Sequence, residues 1–301
     1  MKNIVEILKK AISEENIYIN ELMSRHTSFR IGGPAEVFVI PQNREELINV
    51  LDIIRNENIP YFLLGNGTNV IVSDRGIRGV VIKLTAIRKI SVEGEYIVSE
   101  TGALLSAIAN TALDNELTGF EFASGIPGTL GGAVTMNAGA YGTEIKDVIE
   151  KVEVIDENGN IYEIKNGNMK FAYRSSAIQL DNLIALKAWI HLKKGNYKDI
   201  RAKMDELNGL RKKKQPLEYP SAGSVFKRPE GYYAGKLIQD AGLQGYTIGG
   251  AQVSEKHCGF IINKGDATAE DVINLIRFIQ KTVKDRFGVD LHTEVKIIGE
   301  K

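Results

Sequence analysis

The sequence has very little cysteine and no excess of charge of either sign. Cys258 is the one cysteine among 301 residues, so an internal disulfide framework is excluded, as is usual in a reducing cytoplasm. Lys and Arg together number 38, as do Asp and Glu, and the formal net charge is zero. Such a chain has no long-range field that would gather nucleic acid or an anionic membrane surface. We therefore expect neither partner, and any anionic ligand must be held by local groups.

Long apolar runs are also lacking. No stretch approaches the ~20 apolar residues that a membrane-spanning helix needs, and the N-terminus lacks the basic, apolar and small-residue regions of a signal peptide. Ile4, Val5, Leu8, Ala11 and Ile12 recur at helical spacing, which predicts an amphipathic helix that packs on the body of the protein. These features predict a cytoplasmic protein without a membrane partner.

Histidine is scarce as well, with four residues in the chain. None of them shows a paired ligand spacing such as His-Glu-x-x-His, and a single cysteine cannot complete a zinc site. We therefore predict no metal centre.

Short strands and helices mix without regular alternation, which favours an α+β fold over a doubly wound parallel sheet. Strands are expected at Ala35–Ile40, Tyr61–Leu64, Val70–Val72, Gly79–Leu84, around Glu93-Gly94, Val152–Asp156, Ile161–Ile164, Leu183–Leu192 and Leu291–Ile298. Helices are expected at Arg44–Asn56, Ala103–Asn115, Tyr197–Lys214, Ala234–Ala241 and Ala269–Phe287. Asn158-Gly159 predicts a tight hairpin turn. The composition shift near Gly195 indicates a domain boundary.

A first glycine cluster, Gly65-Asn66-Gly67-Thr68-Asn69, lies between two predicted strands. It is not a P-loop, which would end in Gly-Lys-Ser/Thr and open a helix. It is not a dinucleotide-binding turn either, because that motif places its third glycine within a helix. An ordinary turn remains an alternative for this segment alone.

A second, longer cluster begins with Gly125-Ile126-Pro127-Gly128-Thr129-Leu130-Gly131-Gly132 and continues as Met136-Asn137-Ala138-Gly139-Ala140-Tyr141-Gly142. A turn needs no such length. Successive residues without bulky side chains let backbone N–H groups converge on one anion, so the cluster is suited to a pyrophosphate. Two such loops could hold one dinucleotide from both sides.

The two clusters together resemble the FAD-binding region of the vanillyl-alcohol-oxidase type of flavoprotein. Within that group the chain is similar to the UDP-N-acetylenolpyruvoylglucosamine reductase family, shorter subtype, over almost its full length. Four further segments carry this resemblance: Thr27-Ser28-Phe29-Arg30-Ile31-Gly32-Gly33-Pro34, Tyr173-Arg174-Ser175-Ser176, Pro220-Ser221-Ala222-Gly223-Ser224-Val225-Phe226-Lys227 and Glu294-Val295.

The resemblance implies NADPH-dependent, FAD-mediated reduction of the enolpyruvyl ether of a UDP-sugar to UDP-N-acetylmuramate for peptidoglycan. It implies a two-part FAD-binding region at residues 1–84 and 85–195 and an α+β substrate domain at 196–301, whose last strand could return to the FAD region. The first cluster contains no histidine, so a covalent flavin link is not expected there. The implied cofactor-binding residues are Leu64, Gly65, Asn66, Gly67, Thr68, Asn69, Gly125, Ile126, Pro127, Gly128, Thr129, Gly131, Gly132, Asn137, Gly139, Ala140, Tyr141 and Arg211.

The resemblance also implies roles for individual side chains. Ser224 is the expected proton donor, Arg174 the group that steadies developing negative charge, and Glu294 an assisting group beside the substrate carboxylate. Lys214, Arg228 and His257 are expected to contact substrate. Taken alone, each residue has an ordinary interpretation, as a turn serine, a surface arginine, a solvent-facing glutamate or part of a solvated basic face.

Two other functions stay open from the sequence. One keeps the flavoprotein fold but makes the chain an oxidase of small alcohols. The other makes it a non-catalytic nucleotide-binding module, in which Ser224, Arg174 and Glu294 are incidental.

Overall fold

The fold is described from a computed structural model, which describes residues 2–300 and their side chains from residue 4 onward. The chain divides into two compact units. The first unit contains residues 2–18, 38–66 and 81–211, and the second contains 19–37, 67–80 and 212–300. The three-part division at 84/85 and 195/196 stays a prediction.

The helices are α1 (Lys2–Leu8), α2 (Arg44–Asn56), α3 (Leu105–Asp114), α4 (Leu130–Thr135), α5 (Ala177–Leu180), α6 (Tyr197–Lys214), α7 (Ala234–Asp240) and α8 (Ala269–Phe287). The strands are β1 (Ile17–Leu22), β2 (Pro34–Val39), β3 (Tyr61–Leu64), β4 (Val70–Val72), β5 (Ile77–Lys83), β6 (Ile90–Glu93), β7 (Tyr96–Glu100), β8 (Leu117–Thr118), β9 (Gly139–Ala140), β10 (Thr143–Glu144), β11 (Ile149–Ile155), β12 (Ile161–Lys165), β13 (Ile184–His191), β14 (Lys193–Lys194), β15 (Ser221–Ser224), β16 (Thr247–Ile248), β17 (Ala251–Val253), β18 (Phe260–Asn263) and β19 (Lys296–Ile298).

The predicted bounds of α2, α6 and α8 are confirmed. In α2 and α8, terminal signals accompany the apolar spacing. Asn43 accepts a hydrogen bond from the Glu46 N–H at the start of α2. At the start of α8, Thr268 and Asp271 form a reciprocal capping box, and Gly288 ends the helix with a φ of 70°.

The second glycine cluster was predicted as a continuous loop, and this is wrong because α4 lies within it. Glycines are poor helix formers, but tertiary packing overrides that preference here. Leu130, Ala133 and Val134 are buried in the core of the first unit, and this burial stabilises the short helix. The cluster therefore consists of a loop, one short helix and a second loop.

Three other predictions need correction. The closing strand is limited to β19, because the preceding residues bond elsewhere, with the Glu294 N–H donating to the Val225 carbonyl. α1 ends at Leu8, although Ile12 is buried as predicted. The hairpin turn is longer than the predicted pair, because Asp156 accepts hydrogen bonds from the N–H groups of Asn158 and Asn160 and closes a wider loop.

In the first unit, a sheet with strand order β12-β11-β13-β7-β6 packs with α3 and α4 around one hydrophobic core. In the second unit, a sheet with order β15-β18-β17-β16 packs with α7 and α8. The last strand, β19, pairs in parallel with β4, and Phe29 and Ile71 join the core that α8 covers. Early segments of the chain thus help to build the unit that contains its C-terminal third. A further sheet has order β1-β2-β5-β3.

Among the described residues, no helix is both long and apolar enough to cross a bilayer.

Candidate active site

Gly65 and Asn66, at the start of the first glycine cluster, meet the second cluster within the first unit. The Asn66 side-chain amide donates a hydrogen bond of 2.9 Å to the Pro127 carbonyl. Gly65 lies so close to Thr129 that a Cβ atom at this position would be 2.5 Å from the Thr129 Oγ1. A side chain at position 65 would therefore force Thr129 to shift, and the two loops lie directly against each other.

Several backbone N–H groups of these loops are available for a ligand. Within residues 2–300, the N–H groups of Asn66, Gly128, Thr129 and Gly132 donate to no protein acceptor. The intervening N–H of Gly131 donates a hydrogen bond of 2.8 Å to the Thr101 carbonyl, and this bond fixes the backbone of the second cluster. Unpaired N–H groups in neighbouring loops are suited to an anion such as a pyrophosphate. The residues present therefore fit the predicted dinucleotide.

Arg211 lies near the end of α6, against the start of the second cluster. Gly125 approaches it so closely that an added Cβ would be 3.1 Å from the Arg211 Cδ. The Tyr141 hydroxyl donates a hydrogen bond of 3.0 Å to the Leu207 carbonyl, one turn earlier on α6. Burial lowers the pKa of Arg211, which has no carboxylate partner among the described residues. A half-buried cation without an ion pair is ready to receive an anionic group.

Arg174 occupies a tight turn of the first unit. Ala172 and Ser175 exchange two backbone hydrogen bonds of 3.1 and 3.2 Å, so Tyr173 and Arg174 form a two-residue turn. Arg174 has a φ of 55°, a conformation that costs a non-glycine residue about 1–2 kcal/mol. Its guanidinium lies 5.1 Å from the centroid of the Tyr173 ring.

Asn137 was predicted as a cofactor contact, but its side chain is buried and engaged within the protein. Its amide nitrogen donates to the Glu144 carboxylate at 3.0 Å and to the Ala172 carbonyl at 3.2 Å. Its amide oxygen accepts a hydrogen bond from the Lys146 N–H. The Asn137 N–H also donates a hydrogen bond of 3.3 Å to the Val134 carbonyl. The side chain therefore helps to support the Arg174 turn, and the contact of Asn137 with the cofactor stays a prediction.

Ser224 and Glu294 converge in the second unit, although 70 residues separate them in the sequence. Ser224 ends β15 and pairs with Phe260 on β18. The next residue, Val225, accepts a hydrogen bond of 2.7 Å from the Glu294 N–H. The Asn69 side-chain amide donates a hydrogen bond of 3.3 Å to the Glu294 carbonyl. The end of the first glycine cluster therefore also contacts the segment around Glu294.

His257 lies beside Ser224. Gly259 separates them, and a Cβ added to it would be 3.1 Å from the His257 Nδ1 and 3.4 Å from the Ser224 Oγ. The Gly259 N–H donates a hydrogen bond of 3.1 Å to the His257 Nδ1, which places the proton of a neutral ring on Nε2. Burial lowers the pKa of His257, so the neutral form is favoured.

The two other predicted substrate contacts also belong to the second unit. The Arg228 guanidinium lies 4.1 Å from the centroid of the Tyr233 ring, and its Nε donates a hydrogen bond of 3.4 Å to the Tyr232 carbonyl. Lys214, at the end of α6, is exposed and forms no ion pair within the described part of the chain. Both residues are exposed.

Sequence reasoning missed several residues around these groups. Gly259 has no motif signal, because only the structure shows its close approach to Ser224 and His257. Lys296 follows Glu294 by two positions, and burial together with the charge of Lys227 lowers its pKa. The position of Lys296 two residues after Glu294 was the one sequence signal that could have identified Lys296.

No group of three or more His, Cys, Asp and Glu side chains within residues 2–300 is arranged to hold a metal ion.

Comparison with known proteins identifies both parts of the chain. Residues 35–165 match the family model described as an FAD binding domain, and residues 215–298 match that described as UDP-N-acetylenolpyruvoylglucosamine reductase, C-terminal domain. The predicted α+β fold, with an FAD-binding region followed by a C-terminal domain, is confirmed.

Full-length relatives carry the same name. The UDP-N-acetylenolpyruvoylglucosamine reductase of Caldanaerobacter subterraneus subsp. tengcongensis is 64% identical over 298 residues, which are 99% of each chain. That of Clostridium perfringens is 53% identical over 98% of this chain and 97% of its own. The crystal structure of the Thermus caldophilus reductase matches with a TM-score of 0.80 and 34% identity, covering 92% of this chain and 97% of that one. The chain therefore belongs to the UDP-N-acetylenolpyruvoylglucosamine reductase family.

Proposed function

We propose that this protein catalyses the NADPH-dependent, FAD-mediated reduction of UDP-N-acetyl-3-O-(1-carboxyvinyl)-glucosamine to UDP-N-acetylmuramate, in peptidoglycan precursor synthesis in the cytoplasm. Membership of the reductase family supports this reaction over the oxidation of small alcohols and over a non-catalytic nucleotide-binding module. The observation that carries the proposal is the meeting of the two glycine clusters, in which the N–H groups of Asn66, Gly128, Thr129 and Gly132 have no acceptor within residues 2–300.

Bound FAD would supply the redox chemistry, the transfer of a hydride from NADPH to the substrate double bond. The side chains and backbone of the first unit supply its binding groups: the N–H groups of Asn66, Gly128, Thr129 and Gly132 would face the pyrophosphate. Arg211, a half-buried cation without an ion pair in the described region, would stabilise negative charge on the isoalloxazine ring. No covalent link is needed for either contact.

The protein must also manage negative charge on the substrate. Reduction of the enolpyruvyl double bond leaves charge that spreads into the adjacent carboxylate, so the reaction needs a cation and a proton donor. Arg174 supplies the cation. Ser224 donates its hydroxyl proton to the substrate carbon, and Glu294 assists on the other side of the carboxylate.

The state of the Ser224 hydroxyl supports this role. The group is half-buried at the end of β15 and forms no hydrogen bond with any residue between 2 and 300. It can therefore turn toward a ligand without breaking an internal contact. A serine that served only the turn would be expected to bond to nearby backbone groups.

The remaining predicted contacts concern the UDP-sugar. Lys214 and Arg228 are cations suited to the diphosphate. His257 offers an Nε2–H donor, because the Gly259 N–H occupies its other ring nitrogen. These contacts would orient the substrate while Ser224 donates the proton.

The direct test uses the purified protein loaded with FAD. Its visible spectrum should show bound flavin, NADPH should bleach the flavin band, and the enolpyruvyl substrate should restore it. Steady-state kinetics should show parallel double-reciprocal lines, because NADPH leaves before substrate binds. Failure to retain FAD, or NADPH consumption that the enolpyruvyl substrate does not increase under anaerobic conditions, would contradict the proposal.

A further inference from the structure

The Arg174 turn is connected to the end of α4 by three side chains. Ser176, which is fully buried, donates a hydrogen bond of 3.0 Å from its hydroxyl to the Thr135 carbonyl. The Asn137 amide donates to the Ala172 carbonyl on the other side of the turn. Because α4 directly follows the glycine loop, these bonds tie the turn to the predicted flavin site within one unit.

Gln179 forms the third connection and is the one that reaches Arg174 itself. Its Nε2 donates to the Thr135 carbonyl at 2.7 Å and to the Arg174 carbonyl at 3.3 Å, with the Met136 sulfur at 3.4 Å. An amide nitrogen has two hydrogens, so it can serve both carbonyls at once. Neither an aliphatic side chain nor a carboxylate can make this bridge.

The location of the bridge matters because the backbone of Arg174 is held in an unfavourable conformation. A positive φ persists in a non-glycine residue only where the surroundings impose it. The direction of the Arg174 side chain depends on that backbone conformation. Loss of the bond to its carbonyl would let the turn relax and move the guanidinium.

We infer that Gln179 is a positioning residue for Arg174, fixing the turn against the end of α4 so that the guanidinium meets the developing charge. This inference rests on the proposed function, in which Arg174 acts in the second half-reaction. Gln179 would touch neither substrate nor cofactor.

The test compares Gln179→Leu and Gln179→Glu with a matched control, Gln252→Leu. Gln252 is also half-buried, and its amide donates to the Gly245 carbonyl, but it lies outside the proposed site. We expect the Gln179 variants to slow flavin reoxidation by the enolpyruvyl substrate about 10–100-fold, as for a misplaced catalytic group. Flavin reduction by NADPH and FAD content should match those of the control.

The decisive measurement is a double-mutant cycle with Arg174→Ala. If Gln179 acts through Arg174, then adding Gln179→Leu to Arg174→Ala should change the reoxidation rate by less than about twofold. Multiplied losses would overturn the inference, as would equal slowing of both half-reactions. If Gln179→Leu does not fold, Gln179→Glu, which keeps the shape but lacks the donors, carries the same test.

A normal reoxidation rate in Arg174→Ala would refute both the role proposed for Arg174 and the inference built on it, whereas multiplied losses would refute the inference alone.

Discussion

The two units contribute groups of different kinds to the proposed reaction. In the first unit the ligand-facing groups are mainly backbone N–H groups, exposed by glycines and fixed by bonds such as that from Gly131 to Thr101. The first unit also supplies two proposed side chains, Arg174 and Arg211. In the second unit the proposed groups are all side chains, with Ser224 beside His257 and close to Glu294 in the fold. Cofactor binding should therefore be sensitive to added bulk in the first unit, and chemistry to lost functional groups in the second.

Ser224→Ala is the strongest test of this contrast. Removing the proton donor should slow flavin reoxidation by the enolpyruvyl substrate about 10²–10⁴-fold, while flavin reduction by NADPH stays near normal. Stopped-flow absorbance of the flavin band measures both steps. Ser221→Ala, at the other end of β15, is the control, and equal slowing of both steps in Ser224→Ala would mean that the loop is structural.

Gly65→Ala tests whether added bulk in the first unit weakens cofactor binding. The new Cβ would lie 2.5 Å from the Thr129 Oγ1, and the next nearest atoms are 3.7 Å away. The strain should separate the loops and weaken FAD binding about 10–100-fold, which flavin fluorescence during titration would show. Thr129→Ala removes the clashing oxygen, so the double variant should recover much of the affinity. Unchanged affinity in Gly65→Ala would show that the contact between the loops does not shape the cofactor site.

Arg211→Met should have a smaller effect. It removes a side-chain charge of the first unit and leaves the backbone N–H groups of the glycine loops in place. Loss of a half-buried cation near the flavin should make the flavin potential about 20–40 mV more negative, equivalent to roughly 1–2 kcal/mol for a two-electron couple. Spectroelectrochemical titration measures this shift. Arg201→Met is the control, since Arg201 lies on the same helix but is exposed and paired with Asp205. Equal potentials in both variants would remove Arg211 from the flavin environment.

The contrast between the units also explains what the sequence could reveal. Glycine clusters are visible as composition, and the bounds of α2 and α8 follow from apolar spacing with caps. The α4 helix was missed because glycine propensity argues against it, and its stability comes from packing. The contacts of Gln179 and Gly259 were missed because they join segments that are distant in the sequence, as with the bond from Gln179 to the Thr135 carbonyl, and no local pattern encodes such contacts. The roles of Ser224 and Glu294 were predicted by resemblance and stay predictions, and the structure adds that their backbones converge at Val225.

The smallest expected effect concerns His257 and the pH dependence of stability. Burial lowers its pKa below the ordinary value of about 6.5, so the folded state binds fewer protons than the unfolded state as the pH falls through this range. Folding stability should therefore decrease from about pH 6.5 downward until the folded-state pKa is passed. His257→Gln removes this contribution, so its melting temperature should fall less between pH 7.5 and pH 5 than that of the unmodified protein. His292→Gln is the control, and a parallel decrease in His257→Gln and the unmodified protein would show that His257 is not held in its neutral form beside Ser224.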